Sequence, residues 1–332
     1  MSNEHVEPVD SGEGLAKAIQ LHRPSYREPW RYGTALTDPR VFTPQATADL
    51  LELLHDATRL GVDALDVSLS GIDPADPIIT SVMRRAGQRG IGVSLRLHDD
   101  DETIIKRAPT WLGTGVLGFD VTDRPHLAAP LAEPVVARGE DRIRTMLVTG
   151  PDLAPLEHHL REDWVEITRS DALLHIEWTP DKLIDLLTRF YSLHASTGSQ
   201  PAWDISVASS RPEDRLGPAA KILAMLALPG SLTLGSDLVS AIPNLRRILR
   251  YRSAYRLQRA PLSYLDRGEL HIWFTPQVAV LMNVGDDMIP APCPGQVLST
   301  TGSQVESGRL WLAPRSTTWC SITNTAEMSP YD

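Results

Sequence analysis

Asp120 and Thr122 are the residues best placed to do chemistry, because they lie two positions apart in a short apolar stretch, residues 115–124. The apolar run, bounded by glycines and by Asp-Arg-Pro, predicts a short buried strand with a polar tip. Alternate strand residues share a face, so the carboxylate and the hydroxyl would stand side by side. A carboxylate there needs water, a ligand or a positive charge beside it. Asp120 is therefore a candidate catalytic or ligand-binding group, and a structural ion pair with Arg96 or Arg211 is the alternative.

His98 is the other catalytic candidate, since the unperturbed pKa of histidine lies near neutrality and suits acid–base chemistry. It follows an apolar stretch and precedes four acidic residues, 99–102. Negative charge is favoured in the first turn of a helix, so a loop histidine ahead of a solvated helix start is the alternative. Consecutive acidic residues point in different directions and their spacing matches no known calcium loop, so we predict no metal site.

Other polar residues stand where predicted strands end, and they are candidate ligand contacts. Together with Asp120 and Thr122 they are Thr149, Glu177, Trp178, Ser206, Ser209 and Arg211. Glu177 and Trp178 are neighbours, so only one of them can face a site. An inward tryptophan would offer a flat surface to a sugar ring, whereas an outward one would pack against a helix. Glycine-rich phosphate-binding motifs are absent, and we predict no cofactor.

The elements that would position these residues alternate between strand and helix. Strand cores fall near residues 34, 66, 94, 118, 147, 175, 205 and 233, at intervals of about 24 to 32 residues. Eight strand–helix units of this length are typical of a (β/α)₈ barrel, whose chemistry lies at the carboxyl ends of its strands. A doubly wound sheet is built from the same local units and stays open on periodicity alone.

Several segments resemble the alpha-amylase clan of glycoside hydrolases, in particular alpha-glucosidases and trehalose synthases. Residues 61–69, GVDALDVSL, resemble the second barrel strand of the clan, and residues 89–97, RGIGVSLRL, resemble the third. The most specific match is AWDISVASSR at 202–211, followed by DRLG and by a helical segment that ends in Pro-Gly-Ser at 229–231. The resemblance covers most of the chain and implies the (β/α)₈ barrel of the alpha-amylase type.

The same resemblance implies where the catalytic nucleophile should be. Residues 115–124 match the fourth-strand pattern G-V-D-G-F-R-x-D-x-A, in which the last Asp is the nucleophile and the Arg orients it. In this sequence Thr122 stands at the nucleophile position and Asp120 at the arginine position. A hydroxyl without a base cannot replace the carboxylate.

The remaining catalytic positions of the clan also lack their side chains. The acid/base glutamate that should follow the fifth strand meets residues 146–150, and no carboxylate appears before Asp152. The third-strand pattern D-x-x-x-N-H meets residues 98–100, and the His-Asp pair after the seventh strand meets Ala208 and Ser209. Retaining hydrolysis needs two carboxylates about 5 Å apart, so no catalytic residue follows from the family mechanism.

From about Pro261 the pattern changes to short alternating strands between Gly, Pro and Asp turns. This resembles the small antiparallel β-domain that follows the barrel in the clan. We predict a flexible leader over residues 1–24, the barrel over 25–260 and the β-domain over 261–328. The domain that the clan usually inserts after the third strand has no room here.

One long amphipathic helix is predicted from residue 238 to residue 257, ahead of the β-domain. It carries a basic face for which solvent exposure is the expectation, formed by Arg246, Arg247, Arg250, Arg252 and Arg256.

Composition limits the function classes. A chain of 332 residues with 42% apolar and 22% charged residues can form a barrel and a small domain. The net charge of −10 argues against nucleic acid or an anionic membrane as partner. Cys293 and Cys320 give no disulfide framework; they could be neighbours, and buried thiols in a reducing compartment are the expectation. Without a signal peptide or a membrane-length apolar run, we predict a cytoplasmic protein.

Two functional hypotheses follow. The first is an amylase-like pseudoenzyme that binds a sugar-like ligand or a protein partner and does not hydrolyse α-glucosides. The alternative is an active enzyme whose barrel mouth has been rebuilt, with Asp120 and His98 as candidate catalytic groups, to act on a sugar or sugar-like metabolite. Pocket geometry separates them, because an enzyme needs convergent polar groups in a cleft.

Overall fold

The computed structural model describes residues 18–22, 33–138, 143–162, 165–206 and 215–323. A strand, β1 (Ala18–His22), precedes a closed barrel of eight parallel strands. The barrel strands are β2 (Thr34–Phe42), β3 (Ala64–Leu69), β4 (Gly92–Leu97), β5 (Gly118–Asp120), β6 (Ile143–Val148), β7 (Ile167–Ser170), β8 (Ala202–Ile205) and β9 (Ser231–Gly235). β9 pairs in parallel with β2 and closes the ring. This confirms the predicted (β/α)₈ barrel and is incompatible with a doubly wound sheet.

Helices cover the outside of the barrel. They are α1 (Asp49–Leu60), α2 (Pro77–Gln88), α3 (Asp101–Gly113), α4 (Ala132–Val136), α5 (Ala154–Arg161), α6 (Ala172–His175), α7 (Pro180–Thr197), α8 (Pro218–Met225), α9 (Leu238–Ala241) and α10 (Leu245–Ala254). The start of α2 shows how a local side chain sets where a helix begins. The Asp76 side chain accepts hydrogen bonds from the backbone N–H groups of Ile78 and Ile79. That cap satisfies two backbone donors that the helix itself leaves without a partner.

The short strand β5 depends on a glycine. A side chain at Gly118 would place its Cβ 1.6 Å from the carbonyl oxygen of Ile143 on β6, so only glycine allows the two strands to pair. Gly118 pairs with Ile143, and Asp120 pairs with Thr145. The residues that carry the candidate chemistry of the fourth barrel strand are therefore held directly against the fifth.

The chain ends in antiparallel β-structure, as predicted. A six-stranded sheet has the order β1-β10-β11-β12-β17-β14, and a three-stranded sheet has the order β13-β16-β15. Their strands are β10 (Leu262–Arg267), β11 (Leu270–Phe274), β12 (Val278–Asn283), β13 (Ile289–Ala291), β14 (Val297–Thr300), β15 (Ser303–Glu306), β16 (Arg309–Leu312) and β17 (Ser316–Ser321). One face of the large sheet packs on the barrel: Trp273 lies 5.4 Å from Trp178, and the Trp319 indole donates to the Leu223 carbonyl.

The predicted leader differs from the structure at residues 18–22. They form β1, which pairs antiparallel with β10 at the edge of the large sheet, with Ile19 opposite Tyr264. Leu21 is buried and Ile19 packs against the main core, which is what holds this strand in place. Residues 1–17 lie outside the described part of the chain. The domain boundaries near residues 24 and 260 stay predictions.

Two further elements correct the sequence analysis. The sixth barrel strand is β7, at residues 167–170, and not a strand near residue 175, where the short helix α6 lies. The long helix over 238–257 is interrupted by Pro243, which cannot continue a helix, and by Asn244 in a left-handed conformation with φ of 61°. It is divided into α9, α10 and a 3₁₀ turn at Leu257–Arg259.

One arginine of the predicted basic face is buried. The Arg252 guanidinium donates to the carbonyl oxygens of Leu226, Leu228 and Gly230, and burial lowers the pKa of Arg252 to about 10. Arg252 thus satisfies three backbone carbonyls of the segment that connects α8 to β9. Within the described residues, no helix combines the length and apolar character that crossing a membrane requires.

Candidate functional site

The barrel interior is built in layers of inward-facing side chains, and only its lowest layer is apolar. Ala64, Ile143, Ile167 and Ala202 belong to one buried apolar cluster at that level. The residue two positions further along each of these strands faces inward one layer higher. Those residues are polar: Asp66, Thr145, Arg169 and Asp204.

Arg169 is the centre of this polar layer. Its side chain is 2% exposed, and its guanidinium lies 2.9 Å from Asp66 Oδ2, 2.6 Å from Asp120 Oδ2 and 3.6 Å from Asp204 Oδ2. It also donates to the hydroxyl of Thr233 at 3.3 Å. We call Arg169, Asp66, Asp120 and Asp204 the Arg169 cluster; it joins four of the eight barrel strands through buried charge.

Asp120 has a second positive partner and two neutral donors. Arg96 Nη2 donates to Asp120 Oδ2 at 2.6 Å, so the predicted ion pair with Arg96 is present, in addition to Arg169. The backbone N–H and hydroxyl of Thr122 donate to Asp120 Oδ1 at 2.9 and 2.5 Å. Burial alone would raise the pKa of Asp120, but Arg169 and Arg96 outweigh it and lower the pKa to about 2. Asp120 is therefore a fixed anion.

Asp66 is in the opposite electrostatic situation. Burial raises its pKa to about 6, and the neighbouring carboxylates of Asp120 and Asp204 act in the same direction against the attraction of Arg169. Asp66 Oδ1 is buried and has no hydrogen-bond partner. Three carboxylates therefore share two guanidinium groups, and Asp66 takes up a proton more readily than Asp120.

Thr122, at the position that the family resemblance gives to the nucleophile, is fully engaged. Its hydroxyl donates to Asp120 Oδ1 and accepts a hydrogen bond of 2.8 Å from the backbone N–H of Leu147 on β6. To act as a nucleophile, the Thr122 hydroxyl would need a base that removes its proton while the oxygen attacks a substrate. Here the proton points to an anion that is itself bound by two arginines.

The mouth of the barrel above β4 and β5 is polar. Arg96 is 27% exposed and makes a longer ion pair of 3.6 Å with Asp123. His98 lies one residue beyond the end of β4. Arg96 Nε and His98 Nε2 are buried and have no hydrogen-bond partner. A cavity of about 20 Å³, which is room for about one water molecule, touches Arg96, Asp120 and Asp123, but most of its lining is apolar and it reaches Ile104 of α3.

The acidic run after His98 has the helix-start role that was the alternative. The Asp100 side chain caps α3 by accepting from the backbone N–H of Thr103 at 2.9 Å. Asp101 is bound by Arg124 and by His126 at 2.7 and 2.6 Å. These contacts tie the loop after β5 to the start of α3. They give Asp100 and Asp101 structural roles that need no ligand.

The other predicted contact residues are not brought together. Thr149 is exposed. Glu177, just ahead of α7, forms an ion pair of 2.8 Å with Lys182. Ser206 donates to Asp204 Oδ1 from both its backbone N–H and its hydroxyl. The Trp178 ring is 0% exposed.

Trp178 therefore has no surface for a sugar. Its indole N–H donates to the Leu173 carbonyl, and its ring packs against Trp273 of the large sheet. The prediction of Trp178 as a ligand contact is wrong, because the residue does not end a barrel strand and packs at the junction with the β-domain. Ser209 and Arg211 lie outside the described residues.

Sequence reasoning missed three members of the Arg169 cluster. Asp66 and Asp204 lie in the middle of apolar strands, and a charge at such a position is a signal of a partner inside the barrel. Arg169 was missed because the sixth strand was predicted near residue 175, so Arg169 was not recognised as a strand residue. The partners of Arg169 are also 49 and 103 residues away along the chain, which no local pattern shows.

Comparison with known proteins gives the fold and little more. No protein-family model and no curated protein matches the chain. A solved structure described as a Family GH13_31 enzyme has 8% identity and a TM-score of 0.60, covering 88% of this chain and 99% of that one. A GH27 β-L-arabinopyranosidase from Geobacillus stearothermophilus has 9% identity and a TM-score of 0.53, covering 88% and 96%.

At this level of identity the likeness is one of fold. It confirms that the barrel and the C-terminal antiparallel β-structure match the architecture of a GH13 enzyme, the alpha-amylase family that the sequence motifs resemble. Identical residues are too few to transfer a role to any side chain of this chain.

Proposed function

We propose that this chain is a degenerate alpha-amylase-type glycoside hydrolase: a barrel that binds a sugar-like molecule or a protein partner and does not hydrolyse α-glucosides. The observation that carries the proposal is the bonding of Thr122. A threonine stands where the family places its nucleophile, and its hydroxyl is held between Asp120 Oδ1 and the Leu147 N–H.

The carboxylates that remain nearby do not supply the missing chemistry. Asp66 and Asp204 are each 3% exposed and lie one layer below the mouth. Asp120 is 7% exposed, with Oδ2 taken by two guanidinium groups and Oδ1 by Thr122. Retaining hydrolysis requires two carboxyl groups that flank the scissile bond and reach it. Both oxygens of Asp120 are occupied, and Asp66 and Asp204 are too deeply buried to flank a scissile bond at the mouth.

The test is an assay with maltose, trehalose and an activated aryl α-glucoside at high protein concentration. We expect no turnover above the uncatalysed rate, because the nucleophile and the acid/base group are both missing and each contributes about 10²-fold or more. A commercial α-glucosidase under the same conditions is the positive control. A kcat of about 1 s⁻¹, which is within the usual enzyme range, would overturn the proposal.

A second candidate function is the rebuilt enzyme, and one observation favours it. Arg96 Nε, on β4, and His98 Nε2, one residue beyond its end, are buried without hydrogen-bond partners. Buried polar groups in native proteins are nearly always bonded, and an unsatisfied pair at a barrel mouth is typical of a ligand site. In this candidate His98 is the acid/base group and Arg96 binds an anionic or hydroxyl group of a sugar-like metabolite.

A binding screen tests for a sugar-like ligand at the mouth, which the rebuilt enzyme requires and the protein-partner form of the first proposal does not. Glucose, maltose and glucose 1-phosphate are added separately while the melting temperature is measured, since a ligand that binds only the folded state raises it. Two variants are compared, His98→Gln and the control His126→Gln; the His126 side chain is 63% exposed. A rise in melting temperature that is lost in the first variant and kept in the second favours a ligand at the mouth. If no sugar raises the melting temperature of any variant, the protein-partner form of the first proposal is favoured.

A further inference from the structure

The two cysteines of the chain lie at one end of the C-terminal β-structure, and both are free thiols. Cys320, on β17, is 0% exposed and belongs to the apolar cluster between the large and the small sheet. Cys293 lies after β13, is partly buried and packs against the same cluster. Neither residue has a role in the barrel or in the proposed function.

Backbone contacts hold the two cysteine segments side by side. The Thr323 N–H donates to the Pro294 carbonyl and the Ser321 N–H donates to the Gln296 carbonyl, both at 2.9 Å. Gly295 makes this approach possible, because a Cβ at that position would lie 2.4 Å from the Ser321 carbonyl oxygen. The segment that follows Cys293 is therefore fixed against the end of β17 before any covalent bond forms.

The thiols themselves form a short hydrogen-bonded chain. The Cys293 thiol donates to the Gly295 carbonyl at 3.0 Å. Burial raises the pKa of the Cys320 thiol to about 12, and the neighbouring Cys293, to which it hydrogen-bonds, adds to the shift. Each thiol is thus within reach of the other.

We propose that Cys293 and Cys320 form a reversible intramolecular disulfide when the protein meets a low-molecular-weight disulfide such as glutathione disulfide. Cys293, the more accessible thiol, loses its proton to solvent and attacks one sulfur of the oxidant, and a glutathione thiolate leaves. The Cys320 thiol then loses its proton and attacks Cys293 Sγ, and the second glutathione leaves. Two protein thiols are oxidised to one disulfide, and one glutathione disulfide is reduced to two glutathione molecules.

The bond would fix one wall of a surface cavity. The four residues that precede Cys293 are a continuous part of the lining of a cavity of about 490 Å³, which is completed by the β10–β11 turn and β16. Its lining residues are Arg267, Glu269, Leu270, Ile289, Pro290, Ala291, Pro292 and Arg309. A disulfide would join this wall to β17, the strand next to the centre of the large sheet, and limit its movement.

The experiment treats the full-length protein with glutathione disulfide at pH 7.0, 8.0 and 9.0 and follows intact mass and thiol content in denaturant. We expect a monomer that has lost two hydrogen atoms and has no titratable thiol. The rate should rise with pH, because each step needs a thiolate and burial disfavours that of Cys320. The oxidised form should melt about 3–5 °C higher and return to the original value with dithiothreitol.

Matched variants make the result decisive. Cys320→Ser should stop at one glutathione on Cys293, and Cys293→Ser should react little with the oxidant while folded. Three outcomes would overturn the proposal: a wild-type product that keeps glutathione on Cys293 with Cys320 free, a disulfide-linked dimer, or both thiols unchanged at pH 9.0. Reaction of Cys293→Ser as fast as the wild type would show that Cys320 attacks the oxidant first, and it would overturn the assigned order of the two steps.

Discussion

At the residue scale, the polar layer of the barrel places three carboxylates around one buried guanidinium. Arg169 bonds to Asp66 and Asp120 and lies 3.6 Å from Asp204, while Arg96 reaches Asp120 from the mouth. Removing a buried charge from its partner costs more than the pair contributes, because the partner is left uncompensated. Substituting a member of the Arg169 cluster should therefore lower the free energy of unfolding by more than the number of lost hydrogen bonds suggests.

Asp120→Asn is the most direct test of a structural role for Asp120. The change keeps shape and volume, but it leaves Arg169 and Arg96 without their shared anion and should lower the free energy of unfolding by about 3–5 kcal/mol. Urea or thermal unfolding measures it, with a fall of several degrees in melting temperature. Asp123→Asn is the control: Asp123 is 51% exposed and should change stability by less than about 0.5 kcal/mol. An Asp120→Asn melting curve that matches wild type would instead return Asp120 to the ligand-binding candidates.

The two buried aspartates should give opposite pH dependences. The pKa of Asp66 is raised from its usual 3.8 to about 6, so the folded state binds the proton more tightly than the unfolded state. Its contribution to stability is therefore fully present below about pH 4 and is lost as pH rises through about 6. The pKa of Asp120 is lowered to about 2, so its contribution is present above pH 3.8 and is lost as pH falls through 2.

Asp66→Asn isolates the first of these effects. Asparagine does not titrate, so the variant should gain stability relative to wild type as pH rises from 4 to 8. Urea unfolding at pH 4.0, 6.0 and 8.0 measures the difference at each pH. Asp56→Asn, at a site on α1 that is 44% exposed, is the control for removing a carboxylate outside the barrel interior. A constant offset for Asp66→Asn would mean that Asp66 is ionised throughout this range.

At the element scale, the sequence predicted the barrel strands that follow the regular strand–helix repeat, and it misplaced the one that departs from this repeat. Seven of the eight predicted strand cores fall inside β2 to β6, β8 and β9. The exception is the sixth strand. The run of apolar residues at 172–176 is as short as a strand, and periodicity alone cannot distinguish such a run from a buried helical turn. The real strand, Ile167–Ser170, has only one large apolar side chain and shows its nature only through its pairing with β6.

The candidate site was predictable only in part, for a related reason. The pair of Asp120 with Arg96 joins neighbouring strands, so the position of each residue at a strand end was enough to anticipate it. The contacts of Arg169 cross the barrel, and they depend on which strands face each other after closure. The position of Trp178, buried against Trp273 of the large sheet, could not be decided from sequence, because the residue belongs to the connection between α6 and α7.

Arg252 shows how an element boundary depends on a distant side chain. Its guanidinium satisfies three carbonyls of the segment after α8, so Arg252→Ala should leave all three buried and unpaired and lower stability by more than about 3 kcal/mol. Chemical unfolding checks this against Arg250→Ala, an exposed arginine two residues earlier that should stay within about 0.5 kcal/mol of wild type. Equal effects of the two substitutions would contradict this role of Arg252.

At the scale of the whole molecule, the large antiparallel sheet joins the two ends of the chain to the barrel. Its barrel-facing side contributes Tyr264, Trp273 and Trp319 to the same apolar core as the barrel helices. Its outer edge strand is β1, which comes from before the barrel in sequence and lies against α7. The carboxyl-terminal segment therefore does not form the large sheet alone, since the sheet includes a strand from before the barrel.

A matched pair of amino-terminal deletions tests this arrangement. Deleting residues 1–17 keeps β1 and should leave the melting temperature within about 1 °C of wild type. Deleting residues 1–22 removes β1, uncovers Tyr264 and the core beneath Leu21, and leaves β10 as an open edge strand. Buried apolar side chains such as Leu21 each contribute about 1.5–3 kcal/mol, so this deletion should lower the melting temperature by several degrees.

The open edge adds a second, independent outcome to the same deletion. An exposed edge strand with apolar neighbours can pair with another chain, so the longer deletion should also form soluble oligomers or aggregates that the shorter deletion does not. Size-exclusion chromatography of both proteins at equal concentration measures this. If the two deletions melt together and both elute as the wild type does, β1 contributes nothing to the sheet, and the amino-terminal segment would be the flexible leader that its composition first indicated.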